Sequence, residues 1–444
     1  MGCVKLKNIF GEPWKQSYRD LKISARPTQS CGLAASSQHI AFPWDVGSGG
    51  VVALIDINNF GRNPPIIKLS GHGGSIQDLV FNEFDQNIIA SASDDCTVRI
   101  WDVNNDGNLD INKAKSTLTS HSMKVTNLSW NPVVDYVLLS GSFDCSAKVW
   151  DASVEREMFS VPVNDPVSYV TWKPDGNLIL VSTKEANLSL VDPRSGIKSL
   201  GFKAHDSSKL THGIWLGGPY GNDHILTTGF VNNKTRQIRV WDSRNTEKFL
   251  LSKDIDSSSS PLFPHWDEQT GIISLAAKGD LTVRLFQYFE NELNKAGEFK
   301  TSGSIKSFCL IPNSICDKTK CELGRFLTNE NCAQINATSM FVIRRNNHAS
   351  MIELYGESNA SRRRTTVSDW SNGSLAKDIS SLQLTNTKSG SINRSDAANK
   401  FRDISSIITE CNNKYAENFN DSGMIPLLEK IQANISELIS LIRR

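Results

Sequence analysis

Two groups of histidine, serine, aspartate and tryptophan residues recur at one spacing in the sequence. They are His72, Ser91, Asp95 and Trp101, and then His121, Ser140, Asp144 and Trp150, each 49 residues further on. Histidine and aspartate are residues of acid–base catalysis, so either group alone would be a catalytic candidate. Two copies at one spacing instead predict structural networks, because a buried aspartate is stable only when it is hydrogen-bonded.

The motifs of common enzyme and metal sites are absent from the sequence. It contains no Gly-x-x-x-x-Gly-Lys-Ser/Thr phosphate loop, no Gly-x-Ser-x-Gly elbow and no His-Glu-x-x-His pair. The nine cysteines include no Cys-x-x-Cys pair, and the closest two, Cys316 and Cys321, have no partner at zinc-ligand spacing. We therefore expect a protein that is not an enzyme and that binds no metal or other cofactor.

The overall composition excludes several further classes of protein. With 48 Lys and Arg residues against 47 Asp and Glu residues, the chain lacks the basic excess of a nucleic-acid coat, so we expect no nucleic-acid partner. No apolar stretch is long enough for a membrane span, and the first residues have no secretory signal, which favours a cytoplasmic protein with reduced thiols. Gly2 and Cys3 leave lipid attachment open, although Leu6 stands where the myristoylation motif has Ser or Thr.

The two histidine groups belong to a longer repeat. Each copy begins with Gly-His or Ser-His, continues through short apolar and β-branched runs, and ends with Trp-Asp. This pattern is typical of one blade of a WD-repeat β-propeller, which has four strands. Weaker copies follow at 164–192, 204–242 and 264–286, the last one opening on Pro264-His265.

The flanking sequence supplies further strands. Residues 31–57 contain three apolar runs with a hairpin loop at 47–50, and residues 303–345 contain runs at 305–310, 332–335 and 340–343. One blade cannot bury its own faces, so the copies must stack around a ring. A seven-bladed ring closed by an N-terminal strand is the most economical count, because closure removes the open sheet edge.

The end of the chain has a different character. Residues rich in Asn, Ser, Thr and Gly follow position 385, and the last segment places apolar side chains at alternating steps of four and three. These side chains are Met424, Leu428, Ile431, Ile435, Leu438 and Ile442. Such an a/d seam predicts a short coiled coil, which is marginal alone and needs partner chains. The seam leaves the number of strands open, and an amphipathic helix packed on its own propeller is the alternative.

Several segments outside the repeats resemble the coronin family. The segments that carry the resemblance are 8–13 (Asn-Ile-Phe-Gly-Glu-Pro), 18–24 (Tyr-Arg-Asp-Leu-Lys-Ile-Ser), 279–284 (Gly-Asp-Leu-Thr-Val-Arg), 320–326 (Lys-Cys-Glu-Leu-Gly-Arg-Phe), 354–355 and 369–370. Their order along the chain is more specific than the WD repeats alone.

The resemblance implies an all-β fold with a helical tail. It implies a seven-bladed WD-repeat propeller over 1–355, an extension packed on the propeller over 356–385, a linker with a short helix over 386–423, and a coiled coil over 424–444. Coronins bind actin filaments, so it further implies a homo-oligomer that bundles or cross-links filaments and regulates actin dynamics and cell motility. The expected location is the cytoplasm, at the actin-rich cortex.

The resemblance also implies where actin is bound. The family's best-known actin-contacting basic residue lies in a Tyr-x-Asp-x-Arg-x-Ser segment and matches Lys22, where lysine replaces the usual arginine. Lysine keeps the charge but loses the bidentate geometry. Lys15, Arg19 and Arg26 lie close by in the sequence and are further candidates. A solvated surface lysine is the alternative for Lys22, and a non-catalytic scaffold for other proteins or for a phosphoinositide membrane surface is the alternative function.

Overall fold

Short antiparallel strands make up almost all the regular structure. A computed structural model describes residues 5–47, 49–104, 109–195, 198–342 and 365–371. The predicted linker, the coiled-coil seam from Met424 to Ile442 and the candidate lipid sites Gly2 and Cys3 lie outside these residues. No helix in the described part of the chain is long and apolar enough to span a bilayer.

The strands of the N-terminal half are as follows. They are β1 (Ile9–Arg19), β2 (Ala34–Ala35), β3 (His39–Trp44), β4 (Gly50–Asp56), β5 (Gly61–Arg62), β6 (Ile67–His72), β7 (Ile76–Phe81), β8 (Ile88–Ser93), β9 (Val98–Asp102), β10 (Asp110–Ile111), β11 (Ser116–Leu118), β12 (Val125–Trp130), β13 (Val137–Ser142), β14 (Ser146–Asp151) and β15 (Arg156–Pro162).

The remaining elements complete the described chain. They are β16 (Val167–Trp172), β17 (Ile179–Thr183), β18 (Asn187–Val191), β19 (Lys198–Lys203), β20 (His212–Leu216), α1 (Gly218–Gly221), β21 (His224–Val231), β22 (Thr235–Asp242), β23 (Asn245–Ser257), β24 (Phe263–Asp267), β25 (Ile272–Ala276), β26 (Thr282–Phe289), β27 (Glu292–Lys300), β28 (Ser307–Ile311), two 3₁₀ turns (Asn313–Ile315 and Lys318–Lys320), β29 (Glu322–Asn329), β30 (Gln334–Val342) and α2 (Val367–Ser371).

The strands pair into six sheets. Five have the orders β10-β6-β4-β3-β2, β11-β9-β8-β7, β12-β13-β14-β15, β16-β17-β18-β19 and β20-β21-β22-β23. The sixth, with nine strands, has the order β24-β25-β26-β27-β1-β30-β29-β28, and β5 pairs with β1. Because β1 runs antiparallel to β30 and also meets β27 at Gly297, the first strand of the chain lies in the sheet of the last.

The sheets pack face to face around their innermost strands. Contacts run in chain order from β2 through β7, β12, β16 and β20 to β24, and β28 contacts β2. The ring centroids of Phe263 on β24 and Phe308 on β28 lie 5.7 Å apart, which closes the circle. Strands in the middle of a sheet are buried on both faces, so β8 and β13 are buried at every position. This explains why their sequences read as continuous apolar and small residues rather than as an alternating pattern. The structure confirms the expected all-β propeller architecture.

Three details differ from the sequence expectations. Residues 334–335 and 340–342 of the two predicted runs belong to one strand, β30, whereas 343 lies outside the described residues, and the strand β29 was not predicted. The middle of β30 contains polar residues, and these hide the apolar pattern of a strand in the sequence. Ser339 can be buried there because its hydroxyl donates to Glu322 and accepts a hydrogen bond from Trp14. His265 lies within the innermost strand β24, whereas His72 ends the outer strand β6, so the two histidines are not equivalent.

One end of the ring carries most of the turns discussed below. Strands are counted here from the innermost strand of each sheet outwards. The turn between the second and third strands and the connection to the next sheet then lie at the same end, because neighbouring strands are antiparallel. We call this end the upper face. It includes the turns 94–97 and 143–145 and the connections 73–75 and 119–124.

The helix α2 is anchored at the opposite end. Its Trp370 is fully buried, with ring centroids 5.7 Å from Trp172 and 6.0 Å from Phe159. The indole Nε1 donates to the backbone oxygen of Gly176 at 2.9 Å, so the one polar atom of the side chain is satisfied. This contact holds α2 against the sheets β12–β15 and β16–β19.

Candidate functional site

Each histidine network meets at one serine hydroxyl. His121 Nδ1 lies 2.7 Å from Asp144 Oδ2, and His121 Nε2 lies 2.7 Å from Ser140 Oγ. Trp150 Nε1 donates to the same Ser140 Oγ at 2.8 Å. The preceding sheet repeats this arrangement, with distances of 2.9, 2.8 and 2.8 Å among His72, Asp95, Ser91 and Trp101.

The electrostatics of the networks suit a structural role. Burial alone would raise the pKa of Asp144, but hydrogen bonds from Ser146 and His121 outweigh it and lower the pKa. Burial also lowers the pKa of His121, so a neutral imidazole faces an ionised carboxylate. Ser140 is fully buried, and both nitrogens of the His121 ring have partners, so this serine is not accessible to a substrate.

The sheet β20–β23 keeps part of the network. His205 Nε2 lies 3.0 Å from Thr227 Oγ1, and Trp241 Nε1 donates to the same hydroxyl at 2.9 Å. Threonine therefore replaces serine, but His205 Nδ1 has no hydrogen-bond partner among the described residues. Burial and the nearby Arg239 lower the pKa of His205 to about 3, so this histidine is neutral.

The sheet β16–β19 has lost the network. Strand register places Val181 where Ser140 lies and Val191 where Trp150 lies in the preceding sheet. Both valines are fully buried and join the apolar cluster shared with β12–β15. Because both replacements are valines, neither introduces a polar atom that would need a partner. This copy of the repeat therefore folds like the others, although its sequence motif is hard to recognise.

Two buried histidines make the fold sensitive to acid. Besides His205, His212 is almost fully buried, and burial lowers its pKa to about 4. Both stay neutral in the folded protein, whereas an unfolded histidine accepts a proton near pH 6.5. Their contribution to stability is therefore complete above pH 6.5 and is lost as the pH falls towards 4. We expect these two groups together to lower the free energy of unfolding by roughly 3 kcal/mol between pH 6.5 and 5, measured by urea unfolding. Burial also lowers the pKa of His265 to about 4, which acts in the same direction, and raises the pKa of Asp78 to about 6, which acts in the opposite direction.

The variant His212→Gln supplies the control for this pH dependence. It removes one of these two groups, so the loss of stability between pH 6.5 and 5 should be smaller than in the original chain by about 1.5 kcal/mol. An unchanged slope in the variant would mean that other groups set the acid sensitivity.

Tryptophans at the ends of inner strands join neighbouring sheets, a function that the sequence analysis missed. Trp130 Nε1 donates to the oxygen of Val80 at 3.2 Å, and Trp172 Nε1 donates to the oxygen of Ser129 at 3.1 Å. Trp266 repeats the contact with Gly217 at 3.2 Å. The recurrence of tryptophan as a strand ends is the signal that would have found these residues.

The segment 320–326 closes the sheet onto β1. The buried carboxylate of Glu322 accepts two hydrogen bonds from Arg325, both at 3.0 Å, and one from Ser339. The Arg325 guanidinium lies 4.2 Å from the ring centroid of Trp14, and Trp14 Nε1 donates to Ser339 Oγ at 2.7 Å. Because Trp14 belongs to β1, this cluster ties the first strand to β29 and β30.

The candidate actin-binding residues lie along β1 and the segment after it. Lys15 and Arg19 are exposed on β1, and Arg19 Nε donates to Ser17 Oγ at 2.8 Å. Lys22 is exposed at the upper face, where its backbone oxygen accepts a hydrogen bond from the amide of Asp45. Lys15 and Arg19 thus lie on β1, and Lys22 and Arg26 lie in the segment that follows it.

Arg26 differs from the other three candidates. Its guanidinium donates to Ser75 Oγ at 2.7 Å and to the backbone oxygens of Val46 and Gly47. These contacts hold two upper-face loops together, so Arg26 has a structural partner already.

Comparison with protein families locates two known signatures. Residues 4–62 match a family described as a domain of unknown function, DUF1899. Residues 63–102 and 112–151 match the WD domain, G-beta repeat. Together with the sheet topology, these matches define a WD-repeat β-propeller protein.

Individual relatives narrow the class. The chain is 33% identical over 329 residues to Coronin-A of Dictyostelium discoideum, covering 73% of each chain. It is 29% identical over 386 residues to a Coronin-like protein of Saccharomyces cerevisiae, covering 83% of this chain but 58% of that relative. The WD40 domain of Toxoplasma gondii coronin superposes with a TM-score of 0.81 at 36% identity, covering 84% of this chain and 96% of that domain. The chain belongs to the coronin family.

Proposed function

We propose that the protein is a seven-bladed propeller that binds actin filaments through its upper face and cross-links them by oligomerisation of its tail. The blade count is supported by dividing the nine-stranded sheet at the contact between β27 and β1, which gives two four-stranded units besides the other five sheets. The expected location is the cytoplasm at the actin-rich cortex.

The charge of the upper face supports an acidic partner. Several of its lysines take part in none of the ion pairs between described residues; they are Lys22, Lys124, Lys184, Lys209, Lys234, Lys278 and Lys306. Carboxylates at the same end are held internally, as Asp95 is by His72 and Asp280 is by Arg236. Asp94 and Glu185 are exposed at the same end, but the unpaired lysines outnumber them, which favours encounter with the acidic surface of an actin filament.

Lys22 is the observation on which the proposal rests. Its side chain is exposed, lies in the segment matched to the family's actin-contacting residue, and has no ion pair within the described residues. The amide of Asp45 donates to the Lys22 carbonyl, so the backbone from which this side chain extends is held in place. Lys15 and Arg19 lie on the preceding strand β1, whereas Arg26 contributes by shaping the loops.

Filament co-sedimentation tests the site. The charge reversal Lys22→Glu should weaken filament binding by about tenfold or more, because it replaces an attraction with a repulsion. Lys22→Arg should bind at least as well as the original chain, since arginine keeps the charge and adds bidentate geometry. Lys248→Glu, on the outermost strand β23 near the opposite end, is the matched control and should bind normally. Equal binding by Lys22→Glu would reject the site.

The tail supplies the second half of the proposal. The seam of Met424, Leu428, Ile431, Ile435, Leu438 and Ile442 lies outside the described residues, and the support for it is its a/d spacing. One propeller that uses exposed lysines binds weakly and in a salt-sensitive way. Joining several propellers raises the effective concentration of the second site, so avidity rises without new contacts.

A further inference from the structure

A cavity of about 350 Å³ opens on the upper face beside the Lys22 segment. Its walls come mainly from three pieces of chain, 24–28 with Gly32, 278–279 and 304–307, and Pro43 and Asn329 complete the lining. Backbone hydrogen bonds fix these pieces to one another, including Gly279 N to Ile305 O at 2.7 Å and Phe308 N to Cys31 O at 3.0 Å. The cavity is thus built from rigidly joined backbone, and its volume is within the range of small-ligand sites, about 300–1,000 Å³.

The lining of the cavity is basic. Arg26, Lys278 and Lys306 line it together with hydroxyl groups such as those of Ser304 and Ser307, and the described lining residues include no carboxylate. None of these three cations appears among the ion pairs described above. A site with positive charge, hydroxyl donors and no negative group is complementary to an oxyanion.

Lys278 is the central group. Its ammonium donates to the backbone oxygen of Thr28 at 3.0 Å and to Thr28 Oγ1 at 2.7 Å, which leaves one of its three N–H groups without a partner in the described chain. Burial lowers the pKa of this lysine to about 8, although Cys31 and Asp78 raise it slightly. The Asp78 carboxylate acts on this ammonium through space but forms no ion pair with it, so a bound anion would stabilise the partly buried charge further.

The glycine at position 32 keeps the cavity open. Gly32 has φ +76°, and a Cβ there would lie 3.8 Å from Lys278 Nζ and 3.0 Å from Ser307 Cβ. A side chain at this position would therefore fill the space next to the ammonium. The backbone conformation itself favours glycine.

We propose that this cavity binds the phosphate group of a small phosphate ester, with Lys278 as its principal ligand. The phosphate accepts the free N–H of Lys278 and hydrogen bonds from the neighbouring hydroxyls. Lys278 and Lys306 also belong to the upper-face lysines named above, but phosphate binding is measured without actin, so its outcome is separate from that of the proposed function.

Isothermal titration of the full-length protein with glycerol 3-phosphate, at pH 7 and constant ionic strength, tests the proposal. The original chain should give saturable binding, and Lys278→Gln should weaken it by about tenfold or more. Ser304→Glu places a carboxylate at the cavity and should abolish binding, because the carboxylate repels the phosphate. The same carboxylate should raise the thermal unfolding midpoint, because it compensates the charge of Lys278. Lys295→Gln, which breaks a surface ion pair with Glu298 on β27, is the matched control and should bind normally.

A second arm separates a soluble ester from a lipid headgroup. Flotation with phosphatidylcholine vesicles, with and without phosphatidylinositol 4-phosphate, is run on the original chain and on Lys278→Gln. Vesicle binding that requires both the phosphoinositide and Lys278 assigns the phosphate to a lipid, and binding of glycerol 3-phosphate alone assigns it to a soluble ester. The proposal would be overturned if the protein bound neither probe, or if Lys278→Gln bound as well as the original chain.

Discussion

A chain that ends at Asn420 should lose filament bundling and should bind filaments about a hundredfold more weakly than the full-length protein. The reason is that multivalent attachment gains about 10² to 10⁴ in apparent affinity over a single site. Removing 421–444 deletes every apolar residue of the predicted seam, from Met424 to Ile442, and each of these contributes roughly 1.5–3 kcal/mol when buried between chains. Low-speed sedimentation of filaments measures bundling, and high-speed sedimentation measures binding.

Point variants in the full-length chain make this test independent of truncation. Ile431→Glu combined with Ile435→Glu places charge in the middle of the seam, so it should reproduce the loss of bundling and of oligomers in analytical ultracentrifugation. Gln432→Glu, next to the seam but outside its spacing, is the matched control and should bundle normally. Bundling by the double variant would show that the propeller cross-links filaments without the tail.

Replacing Trp150 with alanine should be the most damaging single change in the propeller. The side chain is almost fully buried in the cluster between the sheets β7–β11 and β12–β15, and it donates to Ser140. Loss of a buried tryptophan costs about 3–5 kcal/mol, because the lost contacts are not regained by the surrounding side chains. Thermal unfolding should therefore show a clearly lowered midpoint, with filament binding retained in the fraction that stays folded.

The variant Trp150→Phe separates packing from hydrogen bonding. It keeps an aromatic ring but leaves Ser140 Oγ without its indole donor, so it should cost about 1–3 kcal/mol. Val191→Ala, at the equivalent position of the next sheet, should cost less than Trp150→Ala, because it removes a much smaller side chain and breaks no hydrogen bond. Equal losses for Trp150→Ala and Val191→Ala would contradict the view that the network stabilises its sheet.

The repeated networks were predictable because their residues recur at fixed intervals along the chain. A histidine, a serine, an aspartate and a tryptophan at fixed intervals can meet only if each copy folds in the same way, and two such copies occur. The divergent copies were harder to read. Val181 and Val191 fill the space of the network with apolar side chains, so no motif marks them. His265 is a histidine near the start of a repeat copy, but it lies on an inner strand and forms no such network within the described chain.

The charged site was only partly predictable. The resemblance gave Lys22, Lys15, Arg19 and Arg26 as neighbours in sequence, and sequence proximity does not say which side chains are already engaged. The structure leaves Lys22 exposed but uses the Arg26 guanidinium to join two loops.

By itself, the sequence determined the repeat, the β class, the family resemblance and the apolar seam of the tail, because each depends on residue types at fixed separations along one chain. Only the tertiary structure decided how β1 joins β30, how Glu322, Arg325 and Trp14 close that sheet, and how Lys278 comes to line a basic cavity. These contacts join residues up to some three hundred positions apart, and their energies depend on burial and on the direction of a few hydrogen bonds. Such quantities exist only once the sheets have packed around their common centre.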